Sequence, residues 1–553
     1  MAESLATAAP KSFNIASTLV EQSTARPFQR GVVFPDGRDS AGRVAWTHLT
    51  FRDLNKLSDE YARGLVSTGV QPGDRVSLLV KPCLEFIPLV FAIFKIGAVP
   101  VLIDPGMGRK EFLACVQHIQ PRVLIGEPIV FALKGLFSKS FQSVKIQITM
   151  GRSTWWWGGS TLEQCRIASE EPFPTVVSQR HDEAAILFTS GSTGPAKGVT
   201  YTHGIFSAQV SHIQEMYDIQ PGEIDLACFP LFGLFSMAMG MTVVIPDMDP
   251  TKPALADPRK LIEAIQTQGC TSAFGSPAIW KNVAKLGLQE SVQLPSMRRI
   301  LMAGAPVPVW MHEAFQNILP EGAQLHTPYG ATESLPVSSI ASHEVLQDTQ
   351  ERTRNGGGSC VGQPAPGVDI RIIKITDEPI SDWSDAKEMP VGGIGEICVR
   401  GEVVTREYKG RPEQTAAAKI WQGDEPFHRM GDLGYFDDQN RLWFCGRKAH
   451  RVRLEDGQEM YTVPCEAIFN AHPLVYRSAL VGVSGNPILV VELEPGVEAK
   501  KEALVEELLE LGRANPLTQN IHRVLFHAAF PVDVRHNAKI HREELAVWAA
   551  NRT

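Results

Sequence analysis

Residues 186–199 read ILFTSGSTGPAKGV, an apolar stretch that runs directly into a loop of glycine, serine, threonine and a single lysine. Glycines permit backbone conformations that are closed to other residues, so successive backbone N–H groups can converge on one anion. A flexible Gly/Ser linker would not follow a buried strand, nor keep a lysine and a proline at fixed places. The segment therefore predicts a phosphate-binding loop formed by Thr189, Ser190, Gly191, Ser192, Thr193, Gly194 and Lys197.

The size and composition of the chain favour a multidomain protein that acts on small molecules. Its 553 residues exceed what one hydrophobic core usually supports, so we expect a further domain beside a large body. A composition that is 44% hydrophobic and 21% charged is typical of globular proteins. The net charge of -8 argues against a nucleic-acid partner.

The cysteines and the N-terminal segment predict a cytoplasmic location. The 9 cysteines are scattered without a CxxC pair or a metal-ligand spacing, which is typical of reduced core residues. The opening MAESLATAAPKSF lacks the basic start and apolar run of a signal peptide. The longest apolar stretch, 86–103, is interrupted by a lysine, a glycine and two prolines, which favours a buried helix and strand over a transmembrane segment.

Short β-branched runs alternate with amphipathic segments, which predicts an α/β fold with largely parallel sheets. The expected strands include 75–80, 99–103 and 242–245, and the expected helices include 53–65 and 257–268. Beyond Glu396 the pattern changes to strands linked by Asp, Asn and Gly turns. Because the residues after Arg447 have their own strands and a helix at 500–513, we predict a large domain over 1–447 and a lid-like domain over 448–553.

Two further segments predict surface loops. The run ERTRNGGGS at 351–359 predicts a mobile loop, with a functional flap as the alternative. The triplet Trp155–Trp157 predicts packing within a surface loop, with a partner or lipid contact as the alternative.

Four short segments downstream of the phosphate loop carry further polar groups: AGAP at 303–306, YGATE at 329–333, GDLGY at 431–435 and GR at 446–447. Each segment alone is compatible with a simple turn. In YGATE, the Thr332 hydroxyl suits an α-phosphate and the Glu333 carboxylate suits a divalent cation. Asp432 can accept hydrogen bonds from both hydroxyls of a ribose, and Arg447 can supply complementary donors.

Taken together, these segments resemble the adenylate-forming superfamily of acyl-CoA synthetases, luciferases and peptide-synthetase adenylation domains, from Phe51 through Lys539. The resemblance implies a large domain of stacked α/β sheet subdomains with a β-rich subdomain, which binds ATP and an acid, and a small mobile C-terminal α+β lid. It implies that Thr332 and the 189–198 loop bind the phosphates, that Glu333 holds Mg²⁺, and that Lys539 reaches the site when the lid closes. The implied catalytic residues are therefore Lys539, Thr332 and Glu333. The other implied nucleotide-binding residues are Gly304, Ala305, Pro306 and Tyr329 at the adenine, Asp432 and Arg447 at the ribose, and Gly330.

The chain departs from the thioester-forming relatives at several positions. Gly233 stands where acyl-CoA synthetases usually have a histidine or aromatic residue after Pro-x-Phe, so either the acyl pocket and second half-reaction differ or the position has drifted. Ala449 stands at the usual polar pivot of the lid, and Asn-Ala precedes Lys539 in place of the usual glycine. The implied substrate pocket contains Phe232, Gly233, Leu234, Phe235 and Gly275.

The segments FPLFGLF, GRKAHRV and RHNAKIHREEL resemble the β-lactone synthetases of bacterial long-chain olefin biosynthesis. That resemblance implies adenylation of a 2-alkyl-3-hydroxyalkanoic acid and closure by its own 3-hydroxyl, without an external thiol. It also implies possible companions, namely a thiolase, an NADPH-dependent reductase and an α/β-hydrolase. The alternatives are a long-chain fatty acyl-CoA ligase and a catalytically silent acyl- or nucleotide-binding protein.

Overall fold

Two large sheets and a small C-terminal α+β unit organise the protein. The computed structural model describes residues 12–151, 158–189, 195–497, 501–532 and 539–552. Within these ranges, no helix combines the length and apolar character that crossing a bilayer requires.

Helices occur along the whole chain, in the body and in the C-terminal unit. In chain order they are α1 (Ala16–Ala25), α2 (Phe51–Ser67), α3 (Phe86–Lys95), α4 (Arg109–Ile119), α5 (Pro128–Leu136), α6 (His203–Met216), α7 (Gly233–Ala238), α8 (Pro258–Gln268), α9 (Pro277–Glu290), α10 (Val309–Ile318), α11 (Ser342–Glu344), α12 (Gln350–Arg352), α13 (Pro412–Ala418), α14 (Thr462–Asn470), α15 (Lys501–Arg513) and α16 (Arg542–Ala550).

Most of the strands belong to the body. They are β1 (Arg30–Arg38), β2 (Val44–Thr50), β3 (Arg75–Leu79), β4 (Val99–Leu102), β5 (Val123–Gly126), β6 (Ile146–Thr149), β7 (Ser160–Thr161), β8 (Glu183–Thr189), β9 (Lys197–Thr202), β10 (Ile224–Ala227), β11 (Thr242–Val244), β12 (Ser272–Gly275), β13 (Arg299–Met302), β14 (Gln324–Ala331), β15 (Ser334–Ala341), β16 (Ser359–Pro364), β17 (Asp369–Ile373), β18 (Gly395–Arg400), β19 (Lys419–Gln422), β20 (Glu425–Phe436) and β21 (Leu442–Arg447). The C-terminal unit adds β22 (Val452–Arg453), β23 (Glu459–Met460), β24 (Val475–Val483), β25 (Asn486–Leu493) and β26 (Arg523–Phe526).

Local signals explain where several helices begin and end. Thr50 and Asp53 form a reciprocal capping box at the start of α2. The Asp257 side chain accepts a hydrogen bond from the backbone N–H of Arg259 at the start of α8, and Gly269 ends that helix in the left-handed region, with φ 67°. The predicted helices 53–65 and 257–268 are therefore confirmed.

The first sheet has the strand order β7-β6-β5-β3-β4-β8-β9 in the described ranges. All neighbouring strands run parallel except β8 and β9, which form an antiparallel pair at the edge. Helix α3 is apolar along most of its length, as expected for a helix buried on all sides, and it belongs to one core cluster that includes residues of both sheets. The expected buried helix and strand over 86–103 are confirmed.

The second sheet has a parallel centre and an antiparallel extension. Strands β1, β11, β10, β12, β13 and β14 are parallel neighbours, and β14, β15, β16, β21, β20, β18 and β17 continue the sheet in antiparallel fashion. The strands and turns predicted beyond Glu396 belong to this extension, but the extension already begins at β15, so the predicted boundary is too late. The AGAP segment follows the carboxyl end of β13. Open α/β sheets commonly bind ligands at the carboxyl ends of their parallel strands.

The C-terminal unit has its own core and contacts the body at defined points. Strands β24, β25 and β26 form a sheet that packs with α14 and α15. The Lys281 ammonium on α9 donates a hydrogen bond of 2.6 Å to the hydroxyl of Tyr476 on β24. Its position over the Tyr476 ring, 4.7 Å from the centroid, adds a cation–π contact between the body and the C-terminal unit.

The segment 351–359 is ordered, so the predicted mobile loop is wrong. Residues 345–357 continue as helical turns after α11, and β16 begins at Ser359. The Arg352 guanidinium lies 4.6 Å from the Trp443 ring, and Gly356 lies against Leu517 of the C-terminal unit. Long-range packing therefore holds a polar, glycine-rich segment in place. Trp155–Trp157 lies outside the described residues.

Candidate active site

The phosphate-loop segment closes the hairpin between β8 and β9. Thr189 and Lys197 are cross-strand partners at the open end of this pair, so the loop between them starts and ends at neighbouring positions. Ser190–Gly194 and the Thr189 side chain lie outside the described part of the structure, and their phosphate contacts stay a prediction. The Lys197 ammonium lies 4.7 Å from the centre of the Tyr408 ring.

Thr332 and Glu333 form the tip of a second hairpin, between β14 and β15. Ala331 and Ser334 pair across the hairpin and leave these two residues at the turn. The Tyr201 hydroxyl donates a hydrogen bond of 2.6 Å to the Thr332 carbonyl. Both side chains of the turn are half-buried, which leaves them accessible to a ligand at the edge of the sheet.

The Glu333 carboxylate is held by a tyrosine on a distant segment. The Tyr408 hydroxyl donates a hydrogen bond of 2.7 Å to Oε1 of Glu333. Burial raises the pKa of the Tyr408 phenol, and the negative charge of Glu333 raises it further. Tyr408 is therefore a neutral donor at physiological pH.

The single carboxylate of Glu333 is a suitable ligand for Mg²⁺, which needs few protein ligands. It would not suffice for a metal that is coordinated by protein side chains alone. No group of three or more His, Cys, Asp or Glu side chains within the described ranges is arranged to hold a metal ion. Mg²⁺ usually keeps several waters and binds one or two carboxylates together with substrate phosphates. With Tyr408 on one oxygen of Glu333, the other oxygen fits this role.

Asp432 and Arg447 form a cross-strand pair on β20 and β21. The Arg447 guanidinium donates a hydrogen bond of 2.6 Å to Oδ1 of Asp432, and the Tyr329 hydroxyl donates one of 2.6 Å to Oδ2. The charge of Asp432 raises the pKa of Arg447, while burial and the nearby carboxylate raise the pKa of Tyr329. Each carboxylate oxygen has a second lone-pair position, so Asp432 can still accept hydrogen bonds from ligand hydroxyls.

The pair is positioned by a glycine that lets the C-terminal unit approach closely. Gly446, which precedes Arg447, has φ 123°, a conformation that favours glycine. A Cβ there would lie 2.4 Å from the Oγ1 atom of Thr462, at the start of α14. Gly446 therefore allows both the backbone conformation and the contact.

The residues expected around the adenine border the same region. Gly304, with φ 94°, and the exposed Pro306 follow β13, and the half-buried Ala305 lies between them. Tyr329 lies near the end of β14, next to the exposed Gly330. The Tyr329 ring lies 6.1 Å from the Phe444 ring of β21, so β14 and β21 meet at this point.

Electrostatic interactions link residues that are expected near the phosphates with residues that are expected near the ribose. Burial lowers the pKa of His428 well below its usual range, and nearby positive charges, including Lys197 and Arg447, lower it further. Asp432 is the main cause of the raised pKa of Arg447, and the negative charge of Glu333 raises it further. His428 is therefore influenced by Lys197 and by Arg447, and Arg447 is influenced by Glu333.

Lys539 is exposed on the C-terminal unit. It precedes Ile540, which forms a β-bridge with Val532, and it follows residues outside the described ranges. Its approach to Thr332 and Glu333 stays a prediction. At the expected pivot, Ala449 has an apolar side chain that cannot form an ion pair. The neighbouring Lys448 ammonium lies 2.9 Å from the buried carboxylate of Glu396.

Five phenylalanines and a tyrosine form a connected aromatic row beside the hairpin tip. Neighbouring ring centres lie 4.4 to 6.2 Å apart, in the order Tyr201, Phe206, Phe235, Phe232, Phe274 and Phe229. The phenylalanines are half-buried, which is typical of a pocket wall rather than a sealed core. Met237, Met239 and Met241 are buried and belong to the core.

At the two glycines predicted to line the pocket, Gly233 and Gly275, an added side chain would point into the core and not toward the aromatic row. A Cβ at Gly233 would lie 2.8 Å from Cγ1 of Val243 on β11, and one at Gly275 would lie 2.7 Å from the indole nitrogen of Trp280. Val243 and Trp280 are both buried. The missing side chain at 233 would therefore enter the core, so the absence of a histidine there does not enlarge the space beside the aromatic row.

We predict that Gly233→Ala destabilises the fold by about 1–3 kcal/mol, because the added methyl group overpacks the contact between α7 and β11. Urea unfolding of the variant and the native protein measures this difference. Gly135→Ala is the matched control, since a Cβ at Gly135 meets no atom within 4 Å. Equal stability of the two variants would contradict the packing role of Gly233.

Comparison with known proteins decides the family. The AMP-binding enzyme family matches residues 22–409, which is more than half of the chain. The chain belongs to the AMP-binding enzyme family.

Two relatives of this AMP-binding enzyme match along nearly its whole length. The olefin beta-lactone synthetase of Xanthomonas campestris pv. campestris is 44% identical over 549 residues, covering 97% of this chain and 97% of that protein. The olefin beta-lactone synthetase of Stenotrophomonas maltophilia is 43% identical and covers 97% and 98%, respectively. The solved structure of the amide bond synthetase McbA from Marinactinospora thermotolerans has a TM-score of 0.79 at 23% identity, covering 98% of this chain and all of that one, which shows the fold. The expected family and α/β fold are confirmed.

Several residues around the site of this AMP-binding enzyme were not expected from sequence motifs. They are Tyr201, Thr405, Tyr408, Lys419 and His428. A tyrosine or threonine in an irregular segment has no local signature of its own. One sequence signal was available for Lys419, which stands between the apolar residues Ala418 and Ile420, since burying a lysine is costly unless it has partners.

Proposed function

We propose that this AMP-binding enzyme uses ATP and Mg²⁺ to adenylate a 2-alkyl-3-hydroxyalkanoic acid and then closes the acid to a β-lactone, in olefin biosynthesis. The products are the lactone, AMP and diphosphate. The full-length similarity to two olefin beta-lactone synthetases, at 44% and 43% identity, carries the proposal.

In the first half-reaction, a carboxylate oxygen of the acid attacks the α-phosphorus of ATP and diphosphate leaves. Negative charge grows on the phosphate oxygens, so fixed cations and hydrogen-bond donors lower the barrier. Lys197 and Lys539 would supply positive charge, and the Thr332 hydroxyl would donate to a phosphate oxygen. Glu333 would hold Mg²⁺, which neutralises charge on the phosphates when it is bound.

The nucleoside would be held by the pair on β20 and β21. The Asp432 carboxylate would accept the two ribose hydroxyls, while Arg447 keeps that carboxylate charged and oriented. Tyr329 would lie against the adenine, and its hydroxyl fixes the second oxygen of Asp432. Holding the nucleoside in this way places the α-phosphorus at a constant distance from the bound acid.

In the second half-reaction, the oxygen of the 3-hydroxyl attacks the C1 carbonyl carbon. The bond from C1 to the AMP oxygen breaks, AMP leaves with the electron pair, and the hydroxyl proton is released. Because nucleophile and carbonyl belong to one molecule, effective molarities of about 10⁵ M or more offset part of the ring strain. The aromatic row from Tyr201 to Phe229 would pack against the alkyl arms and exclude water from the adenylate.

We also propose a cytoplasmic location and association with a reductase, a thiolase and an α/β-hydrolase of the same pathway. The cysteines support the location, because all nine are free thiols in the structure, as expected in a reducing compartment. Co-purification of the four proteins from one lysate at physiological salt is the test of the association.

The decisive assay combines the enzyme with ATP, Mg²⁺ and a 2-alkyl-3-hydroxy fatty acid, with and without CoA. We expect a β-lactone without CoA, formed in equal amount with AMP. The matched control is the same acid without its 3-hydroxyl, which can accept AMP but cannot close a ring.

Two outcomes would replace the proposal. A thioester that forms only with CoA would make the protein a fatty acyl-CoA ligase. No diphosphate release with any acid would make it a silent acyl- or nucleotide-binding protein.

A further inference from the structure

The turn that carries Glu333 is not a self-supporting hairpin turn. Two-residue hairpin loops usually adopt type I′ or II′ turns, which need a positive φ at one or both central residues. Neither Thr332 nor Glu333 has a positive φ, and the pairing is irregular between Tyr329 and Ala331. The geometry of this tip therefore depends on contacts from outside the hairpin.

Two buried residues of one segment supply such contacts to Glu333. The backbone N–H and the Oγ1 hydroxyl of Thr405 donate hydrogen bonds of 2.9 and 3.1 Å to the Glu333 carbonyl. The Tyr408 hydroxyl donates one of 2.7 Å to the Glu333 carboxylate. Thr405 and Tyr408 are only 1% and 5% exposed, so neither is placed to hold a ligand directly.

The segment Val403–Tyr408, which we call the clamp segment, also joins the two sheets of the body. Val404 forms a β-bridge with Ser334 at the hairpin tip, and Tyr408 forms one with Val199 on β9. The clamp segment thus connects β9, which begins at Lys197, with the Thr332–Glu333 turn between β14 and β15.

A buried lysine supports the clamp segment from the core side. The Lys419 ammonium donates a hydrogen bond to the Thr405 carbonyl. Burial lowers the pKa of Lys419 to about 7, and the more distant negative charge of Glu333 offsets only part of this effect. Burial of a lysine is costly unless it has a hydrogen-bond partner, and here the partner is the backbone of Thr405, which in turn holds Glu333.

We propose that Thr405 and Tyr408 are positioning residues that fix the main chain and one carboxylate oxygen of Glu333, so that the other oxygen is directed at the divalent cation of the bound nucleotide. The proposal rests on the function proposed above. A ligand held by hydrogen bonds from its neighbours loses less conformational freedom when the cation binds, and outer partners of this kind commonly change metal affinity by about 10- to 100-fold.

The test measures how much a divalent cation strengthens nucleotide binding, independently of turnover. The probe is the α,β-methylene analogue of ATP, titrated by calorimetry with Mn²⁺ and with EDTA. For Tyr408→Phe, which keeps the ring against Lys197, we expect the metal-dependent gain in affinity to fall about tenfold. The affinity for the metal-free analogue should stay within about twofold, because the nucleoside contacts are intact.

Matched variants separate positioning from general stability. Tyr435→Phe removes another buried hydroxyl, which donates a 2.6 Å hydrogen bond to the Gly357 carbonyl, and should leave the metal-dependent gain unchanged. Thr405→Val should lower the gain and Thr405→Ser should restore it, because serine keeps the donor. The threonine pair tests the same idea if Tyr408→Phe folds poorly.

The outcomes distinguish this proposal from the proposed function. Suppose that the native protein shows the metal-dependent gain in affinity and that Tyr408→Phe and Thr405→Val both keep it. This result would overturn the positioning role and leave the proposed function standing. A native protein that binds the analogue equally with Mn²⁺ and EDTA overturns both the positioning role and the metal-dependent step.

Discussion

Lys539→Ala lowers the rate of adenylation by about a hundredfold or more, measured as diphosphate release per enzyme with a saturating 2-alkyl-3-hydroxy acid. The reason is electrostatic, because a preorganised positive charge near the α-phosphate stabilises the charge that grows there in the transition state. Lys539 is exposed in the described state, so its removal should leave the fold intact. The prediction requires that a rotation of the C-terminal unit bring this charge to the nucleotide.

A second measurement assigns the loss to the correct step. When the acyl-adenylate is supplied directly, Lys539→Ala should form lactone at a rate within a few fold of the native protein, because the phosphate chemistry is already complete. Lys501→Ala is the control for an exposed lysine of the same lid domain. Full diphosphate release by Lys539→Ala would remove this lysine from the catalytic residues.

Asp432→Asn raises the KM for ATP by about 10- to 150-fold, which corresponds to the loss of hydrogen bonds worth about 1.5–3 kcal/mol to a charged group. The carboxylate is 4% exposed and already holds Arg447 and Tyr329, so it is rigid before the nucleotide arrives. An amide in its place offers one acceptor oxygen and cannot pair with the Arg447 charge. We expect a smaller change in kcat, since the ribose is held in the ground state and in the transition state alike.

Comparison with 2′-deoxy-ATP isolates the ribose contact. The native protein should prefer ATP to 2′-deoxy-ATP, and Asp432→Asn should lose most of that preference. Tyr329→Phe, which leaves the carboxylate in place, should keep it. If Asp432→Asn lowers stability while the ratio of the two KM values stays native, Asp432 only holds Arg447 and does not bind ribose.

Local sequence patterns predicted the parts of the molecule that depend on nearby residues. Helix α8 begins at its Asp257 cap and ends at Gly269 because a cap and a left-handed glycine act within a few residues. The strand before the phosphate loop and the buried helix before β4 are likewise confirmed, since their apolar runs match β8 and α3. The nucleotide-binding assignments of the loop residues themselves stay predictions.

Predictions from local sequence patterns were wrong where contacts with distant parts of the chain determine the structure. The run 351–359 is polar and rich in glycine, yet Trp443 and Leu517 hold it in order. Gly233 was interpreted as a change in the acyl pocket or as drift, whereas its missing side chain points at Val243 in the core. In both cases the deciding neighbour cannot be identified from residues close in sequence.

The amino-acid sequence by itself determined the family, the order of the segments that we predict to bind the nucleotide, and the identity of their charged groups, because each of these depends on short, contiguous residue patterns. Only the tertiary structure decided how those groups are held. Tyr408 reaches Glu333 across 75 residues, and Tyr329 reaches Asp432 across 103. Contacts at such separations arise when the two sheets and the clamp segment assemble, and no local periodicity encodes them.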